Sequence, residues 1–292
     1  MSSKFAGALL SLAALACGVW AQADTTRKMW YPGLLTGETK TRTKPRYRVK
    51  TPRHPPDKLA EDAVLGVTVY RLRPPRLNEA GARLLTHAPS GEVEWTPVRV
   101  GSNALLAENS LVRLSIEAAR TGYLYVIDRE QFTDGSLGPP VLIFPTTNIR
   151  NGNNQVKAGR VIEIPDRLDE PLYFTLKRSR PQHAGEVLTV LVAPQPLTEL
   201  SIGPRPLPLS ELQVKNWEAQ WGAPQGQLEL LSGEGQPWTE AEKTAGGNPQ
   251  LTLAATAPAP QTLYYNAQAK ADAPLWINVH LRLAGAAKRR LR

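Results

Sequence analysis

The sequence predicts an all-β fold, an antiparallel β-sandwich that is immunoglobulin-like in character, and three observations support it. Short apolar runs recur about every ten residues from Val64 onward, separated by Gly, Pro and Asn. The connections between them, such as 151–154, are too short for crossover helices, which favours antiparallel pairing over βαβ units. The last run, 275–283, alternates apolar with other residues throughout and needs a sheet that buries its apolar face.

The strands before residue 200 are predicted from side-chain pattern and from the residues that stop each run. The first strand, 65–72, ends because Pro74 and Pro75 follow it, and proline cannot donate to a ladder. In 111–117, apolar residues alternate with Arg113, Ser115 and Glu117, a pattern typical of a strand with one solvent-exposed face. The further strands are expected at 123–127, 141–144, 160–164, 172–177 and 187–193.

Two helices and two closing strands follow. An amphipathic helix is predicted at about 210–221, with Ser210 as N-cap, Gln213 completing a capping box and Gly222 as the stop. A short second helix is expected at 239–245, with Glu242 at the box position. The chain then forms strands at 262–266 and 275–283, which we expect to return to the sandwich.

The amino terminus has the pattern of an export signal. Lys4 precedes an apolar run, 5–16, and Ala21 and Ala23 are the small residues of a cleavage site. A signal peptide at 1–23 predicts a periplasmic or extracellular protein. The alternative is a lipoprotein anchored through Cys17, which is the only cysteine.

The signal is followed by a basic Pro/Thr-rich arm, one β-sandwich domain and a basic tail. Their predicted bounds are 24–59 for the arm, 60–285 for the domain and 286–292 for the tail. Within the domain we distinguish a core at 65–197, a helix and loop insertion at 198–260 and closing strands at 261–285. The formal charge of +9 is concentrated at the two ends, and residues 59–287 sum to −3.

Composition excludes several classes of function. A mature chain without cysteine has no thiol nucleophile, no thiolate metal site and no disulfide. After the signal, no apolar run approaches the ~20 residues that cross a bilayer. The sequence also lacks a nucleophile elbow and a phosphate-binding glycine loop. No cofactor is therefore expected.

Part of the chain resembles a bacterial family, the domain of unknown function 4384. The resemblance rests on strand and turn motifs within 65–197, about half of the mature chain. The motifs are Gly122-Tyr-Leu-Tyr-Val-Ile127, Val141-Leu-Ile-Phe-Pro145, Asn154-Gln-Val-Lys-Ala-Gly159 leading into Ile162-Glu-Ile-Pro165, and Gly185-Glu-Val-Leu-Thr-Val-Leu-Val192 before Pro196-Leu197. The resemblance implies an all-β exported or envelope domain that accompanies other modules, and it transfers no catalytic residue.

The sequence predicts no catalytic residue, no cofactor-binding residue and no metal site. The weak candidates for binding a cation lie in the acidic loop 128–135. Asp128, Glu130 and Asp134 are oxygen donors of the kind calcium prefers, but their spacing departs from the calcium-loop pattern. The alternative is a hairpin connection with solvated charges. The four histidines, His54, His87, His183 and His280, are expected at the surface or in turns, because none has a second ligand at zinc spacing.

The stretch 40–50 is the candidate for binding a polyanion, because a cation occupies every second position. These cations are Lys40, Arg42, Lys44, Arg46, Arg48 and Lys50. In an extended chain they would repeat about every 6.6 Å along one side. The alternative is a solvated linker, with Tyr47 and Val49 pairing at a sheet edge. Trp217 and Trp221 are either a sugar platform or, as we expect, the contact between a helix and a sheet.

Taken together, these features predict an exported, non-enzymatic β-sandwich module of the cell envelope that acts by binding a protein. One alternative is a polyanion-binding protein that acts through its basic arm. The other is a calcium-dependent or hydrolase-like site in the loop 128–135.

Overall fold

The computed structural model of the protein describes residues 46–51, 61–88, 91–248, 251–253 and 257–285. The predicted signal peptide, most of the basic arm and the basic tail lie outside these residues. Two sheets of antiparallel strands face each other, which confirms the predicted all-β sandwich. The described strands are β1 (Tyr47–Thr51), β2 (Val64–Arg73), β3 (Leu84–Ala88), β4 (Gly91–Val100), β5 (Leu105–Leu106), β6 (Leu111–Ala118), β7 (Gly122–Phe132), β8 (Val141–Phe144), β9 (Gln155–Val156), β10 (Val161–Ile164), β11 (Phe174–Thr175), β12 (His183–Ala193), β13 (Leu207–Pro208), β14 (Gln225–Leu230), β15 (Thr262–Asn266) and β16 (Leu275–Leu283). The helices are α1 (Glu211–Trp221) and α2 (Glu240–Gly246), with 3-10 turns at Glu61–Ala63 and Arg150–Gly152.

The first sheet has nine strands and is organised around β2. On one side β2 pairs with β6. On the other side, its first half pairs with β15 and its second half with β4. The sheet continues from β15 to β14 and β1, and from β4 to β3, while β6 also pairs with β10 and β11. β1 is therefore the last described strand at one end of this sheet.

The second sheet has seven strands in the order β13, β8, β7, β12, β16 and β5, with β9 also paired to β7. β7, β12 and β16 form the centre of this sheet, and β12 pairs with each of the other two along most of its length. All described pairs in both sheets are antiparallel except the short pair of β5 with β16.

The main core lies between the sheets and is built by alternation along the central strands. β2 contributes Leu65, Val67 and Val69, and β16 contributes every second residue from Leu275 to Leu283. Apolar burial is the main favourable term in folding, and each fully buried aliphatic side chain contributes about 1.5–3 kcal/mol. This term holds the sandwich closed.

The two closing strands return to the sandwich as predicted, and each joins a different sheet. β15 inserts between β14 and β2 in the first sheet, and β16 lies beside β12 in the second. The carboxyl-terminal segment therefore ties the two sheets together.

Both predicted helices form, each on the outer face of a different sheet. α1 begins after Ser210, whose hydroxyl accepts a bond from the Gln213 amide at 3.5 Å. Its Val214 and Trp217 are buried against the second sheet, and the Trp217 and Trp221 rings stack with centroids 5.6 Å apart. This packing matches the expected helix–sheet contact. α2 has a complete capping box between Thr239 and Glu242.

Several element predictions were wrong in extent. The hairpin of β3 and β4 was missed, and β14 lies inside a segment, 198–260, that was interpreted as helix and loop. The strand predicted at 172–177 is only β11, because β10 already occupies most of the same edge of β6. β7 and β12 are longer than predicted, because their pairing continues beyond the apolar residues.

Among the described residues, no helix combines the length and apolar character needed to cross a membrane.

Candidate functional site

The structure separates Asp134 from the other two weak cation candidates, Asp128 and Glu130. Asp128 and Glu130 lie on β7, so the predicted acidic loop 128–135 is wrong at its start: a strand runs to Phe132. Asp134 lies in the turn beyond β7, where its Oδ1 accepts bonds from the Ser136 amide at 2.9 Å and the Ser136 hydroxyl at 2.6 Å. These bonds lower the pKa of Asp134. Asp134 therefore stabilises the turn through these hydrogen bonds.

Two other residues join Asp128 and Glu130 on the inner face of the second sheet. Glu186 on β12 lies directly opposite Glu130 across the ladder, and Asp128 lies two pairs further along, opposite Leu188. His183, at the start of β12, places Nε2 at 3.2 Å from Glu186 Oε1 and Nδ1 at 3.7 Å from Glu130 Oε1. We call Asp128, Glu130, His183 and Glu186 the carboxyl cluster.

The carboxyl cluster continues the faces that build the core. Leu124 and Val126 point between the sheets, so the period of two also places Asp128 and Glu130 on that inner face. Leu188 places Glu186 there on β12 in the same way. The cluster thus lies at one end of the sandwich interior.

Burial and mutual repulsion make the cluster hard to ionise. Burial, reinforced by Glu130, raises the pKa of Asp128 to about 6. Burial, reinforced by Asp128 and Glu130, raises the pKa of Glu186 to about 9. Like charges opposite each other in a ladder are destabilising, so this end of the sandwich favours a protonated carboxyl.

His183 corrects the expectation of a surface histidine. It is completely buried, and its ring packs edge-on against Phe132 with centroids 6.1 Å apart. The Ser179 amide donates to Nδ1 at 3.3 Å, and Nε2 lies 2.9 Å from the Gly185 carbonyl. A neutral ring protonated at Nε2 satisfies both contacts. His87 and His280 are exposed as predicted, and His54 lies outside the described residues.

In the part of the chain that the structure describes, no group of three or more His, Cys, Asp or Glu side chains has the arrangement of a metal site.

A second group of ionisable residues lies on the outer face of the first sheet. Arg99, Tyr70 and Arg113 occupy neighbouring positions across β4, β2 and β6. Glu242 from α2 accepts a bond from the Tyr70 hydroxyl at 2.8 Å and pairs with Arg99. Glu163 of β10 pairs with Arg113 at 3.0 Å. We call these five residues the arginine network.

The prediction that one face of β6 is exposed to solvent was wrong, because the arginine network buries that face. Arg113 and Glu117 are each only 2% exposed. Trp238 covers Arg113, whose guanidinium carbon lies 5.6 Å from the ring centroid. Burial raises the pKa of Glu163 to about 8, against the opposing effect of Arg113, and also raises the pKa of Tyr70. The network holds α2 to the sheet through paired charges.

The basic stretch is described from Arg46 onward, and from Tyr47 it forms the edge strand β1. Tyr47 and Val49 pair opposite Leu230 and Leu228 of β14, as expected for an arm that meets a sheet edge. Arg46 and Arg48 are exposed. Lys40, Arg42 and Lys44 lie outside the described residues.

Lys50 differs from the other two described cations because it is engaged within the domain. Its Nζ donates to the Ser102 hydroxyl at 2.7 Å and lies 3.5 Å from Glu229 Oε2. Glu229 is itself buried and also accepts bonds from Gln261 and Thr262. Of the six polyanion candidates, the described ones available to a partner are therefore Arg46 and Arg48.

Two clefts in the described residues have very little internal space, about 10 Å³ each. One lies between the sheets beside Val67 and Tyr264, and the other lies on the first sheet beside Arg99 and Glu242. Each has room for about one water molecule and no more.

Sequence reasoning missed Glu186, Arg99, Arg113, Glu163 and Glu242 as members of buried clusters. For Glu186 a signal existed: it lies two positions before Leu188 on the same strand face. For the arginine network no local signal existed, because its partners come from strands and a helix far apart in the chain.

No family model, no curated protein and no solved structure matches this chain. The resemblance to the domain of unknown function 4384 stays a prediction.

Proposed function

We propose that this protein is a non-catalytic binding module of the cell envelope, exported through its signal at 1–23, and that it attaches to an acidic surface of a protein partner through its basic amino-terminal segment. The observation that carries the proposal is the geometry of β1. This strand fixes the end of the segment to the first sheet and leaves Arg46 and Arg48 exposed.

Charge distribution supports attachment at this place. The cations of the segment precede a domain whose formal charge is slightly negative, so the positive potential is concentrated at one edge. Such a field attracts an acidic partner and raises its association rate. Arg46 immediately precedes β1 and Arg48 lies within it, and two positions of extended chain span about 6.6 Å.

The interpretation as non-catalytic is supported by the state of the grouped ionisable residues. The arginine network is buried and internally paired, and its cleft has room for no more than about one water molecule. The carboxyl cluster faces the sandwich interior. The described cations that remain exposed at the start of β1, Arg46 and Arg48, are suited to attachment.

The test uses the mature chain, residues 24–292, and the charge-reversed variant R46E/R48E. Both are used to capture proteins from the native envelope fraction at low and high salt. We expect capture to fall at least tenfold in the variant and to weaken with salt, because exposed charge pairs are screened. The control K157E/R205E makes the same change of net charge at two other exposed cations and should capture normally.

Equal capture by all three proteins would refute the proposal. If R46E/R48E instead loses retention on heparin while no envelope protein depends on Arg46 and Arg48, the polyanion alternative is correct. Turnover of a peptide, ester or glycoside substrate by the purified protein would overturn the non-catalytic interpretation.

A further inference from the structure

The carboxyl cluster contains acidic groups that the proposed function does not use and that, among the described residues, pair with His183 and with no arginine or lysine. The charged groups acting on Asp128 are Glu130 and Glu186, and those acting on Glu186 are Asp128 and Glu130. His183 is the basic side chain in contact, and its ring nitrogens already have backbone partners.

The neighbouring elements place their charged groups elsewhere. Arg178 donates to the His183 carbonyl and, at 2.6 Å, to the Ala284 carbonyl, and its Nε lies 3.8 Å from Glu108. Arg129, on the opposite face of β7, donates to the Gly138 carbonyl at 3.1 Å. Arg180 lies over the Phe132 ring at 3.5 Å. On β16, Leu281 is the residue opposite Glu186.

Asp128 and Glu186 are diagonal neighbours on the inner face of the β7–β12 ladder, a separation across which long side chains can form a hydrogen bond. Two carboxylates have no hydrogen to donate, so this bond exists only while one of the pair is protonated. Asp128 Oδ1 and Glu186 Oε2 are buried and have no hydrogen-bond partner, and the Glu186 side chain is only 9% exposed. Loss of the proton would leave charges here that water cannot solvate.

We infer that the carboxyl cluster stabilises this end of the sandwich in a pH-dependent way. A proton shared by Asp128 and Glu186 holds β7 and β12 together, and its loss at alkaline pH loosens the two strands. The inference is independent of the proposed binding function, because the cluster and β1 lie on different sheets.

The direction of the pH dependence follows from the raised pKa values. The unfolded chain releases these protons near pH 4, whereas the folded state still holds them at higher pH. The free energy of unfolding is therefore highest, as far as these groups are concerned, below pH 4, and it falls as the pH rises towards about 9. Where the folded state holds one extra proton, the unfolding constant rises up to tenfold per pH unit.

The experiment compares urea unfolding of the full chain and of E186Q between pH 5 and pH 9. Gln keeps the shape of Glu186 and donates a hydrogen without ionising. We expect E186Q to have an unfolding constant at least tenfold lower than the wild type at pH 9 and nearly the same constant at pH 5. The control E94Q removes an exposed carboxylate of β4 and should follow the wild type.

A local measurement shows whether the pH dependence arises at this end of the sandwich or throughout the domain. After correction for intrinsic base catalysis, amide hydrogen exchange in residues 128–132 and 183–187 should accelerate with pH in the wild type and much less in E186Q. Residues 188–193, farther along β12, provide the internal comparison. Equal acceleration in both parts of β12 would overturn the local effect.

Three further outcomes are decisive. A loss of stability in E186Q that is the same at every pH would overturn the inference, because Glu186 would then be needed as a carboxylate.

Should E186Q fail to fold, carboxyl carbon NMR of the wild type decides: normal titration of both groups near pH 4 overturns the inference, and elevated midpoints support it. Calcium that restores alkaline stability in the wild type but not in E186Q would overturn it in favour of a cation site.

Discussion

The two buried ionisable groups solve the same physical problem in opposite ways. In the arginine network each carboxylate meets a guanidinium, as with Arg113 and Glu163 at 3.0 Å. In the carboxyl cluster the facing groups are acids, and burial raises the pKa of Glu186 to about 9. Charge in a dry interior is tolerated when it is paired and is otherwise neutralised by a proton. The comparison teaches that each carboxyl group of the network has a guanidinium that favours its charged form, although burial still raises the pKa of Glu163 to about 8, whereas Asp128 and Glu186 of the cluster have only other acids acting on their charge.

The largest effect should come from breaking one pair of the arginine network. Arg113→Met leaves Glu163 buried without its cation, which we expect to lower the free energy of unfolding by about 3–5 kcal/mol. The loss should grow above neutral pH, because Glu163 then ionises without a partner. Urea unfolding at several pH values measures it.

The matched control for that change removes both charges. R113M/E163M should recover much of the stability lost in R113M, because no unpaired charge remains. If the single and double variants are equally unstable, the lost term is packing against Trp238, and the network is not held by charge pairing.

An intermediate effect is expected beside the carboxyl cluster, where β12 approaches β16 closely. A Cβ on Gly185 would lie 2.1 Å from the Leu281 carbonyl oxygen, which belongs to the backbone and cannot move aside cheaply. Gly185→Ala should therefore lower the free energy of unfolding by roughly 1–3 kcal/mol. Thermal unfolding measures it.

Gly203→Ala is the matched control, because nothing lies within 4 Å of a Cβ there. If both alanine variants are equally stable, the end of the sandwich near Glu186 is looser than its close strand contact indicates. That result would weaken the contrast between the two buried groups.

The smallest effect should come from an ion pair that is not buried. Glu211 and Lys215 lie one turn apart on α1 with 3.9 Å between their charged atoms, and both are well exposed. Glu211→Gln should change the free energy of unfolding by less than about 0.5 kcal/mol at neutral pH. A loss comparable to that of R113M would remove burial as the reason for the contrast.

The sequence predicted those elements whose pattern is local. The capping residues of α2, Thr239 and Glu242, lie three positions apart and were read correctly. The strand β16 was predicted with its full bounds because every second residue is apolar. The hairpin of β3 and β4 was missed because its exposed residues, such as Glu92 and Glu94, interrupt the apolar runs.

The candidate sites were predictable only where a single strand carries them. Tyr47 and Val49 of the basic stretch were expected to pair at a sheet edge, and they do so in β1. Asp128 was recognised as a candidate, but its partner Glu186 is far away in the chain, and register alone places the two on one face. Polar residues in a strand were interpreted as solvent-exposed because alternation does not show what covers the second face.

By itself, the sequence determined the fold class, because alternation and turn chemistry act within a few residues of each other. It also located the basic segment, and the pairing of β1 with β14 then showed that this segment leads into a sheet edge. Only the tertiary structure decided which polar residues are buried, because Trp238 covers Arg113 and the strand register places Glu186 on the inner face of the second sheet. Desolvation depends on everything that surrounds a charge, and most of those neighbours are distant in the chain.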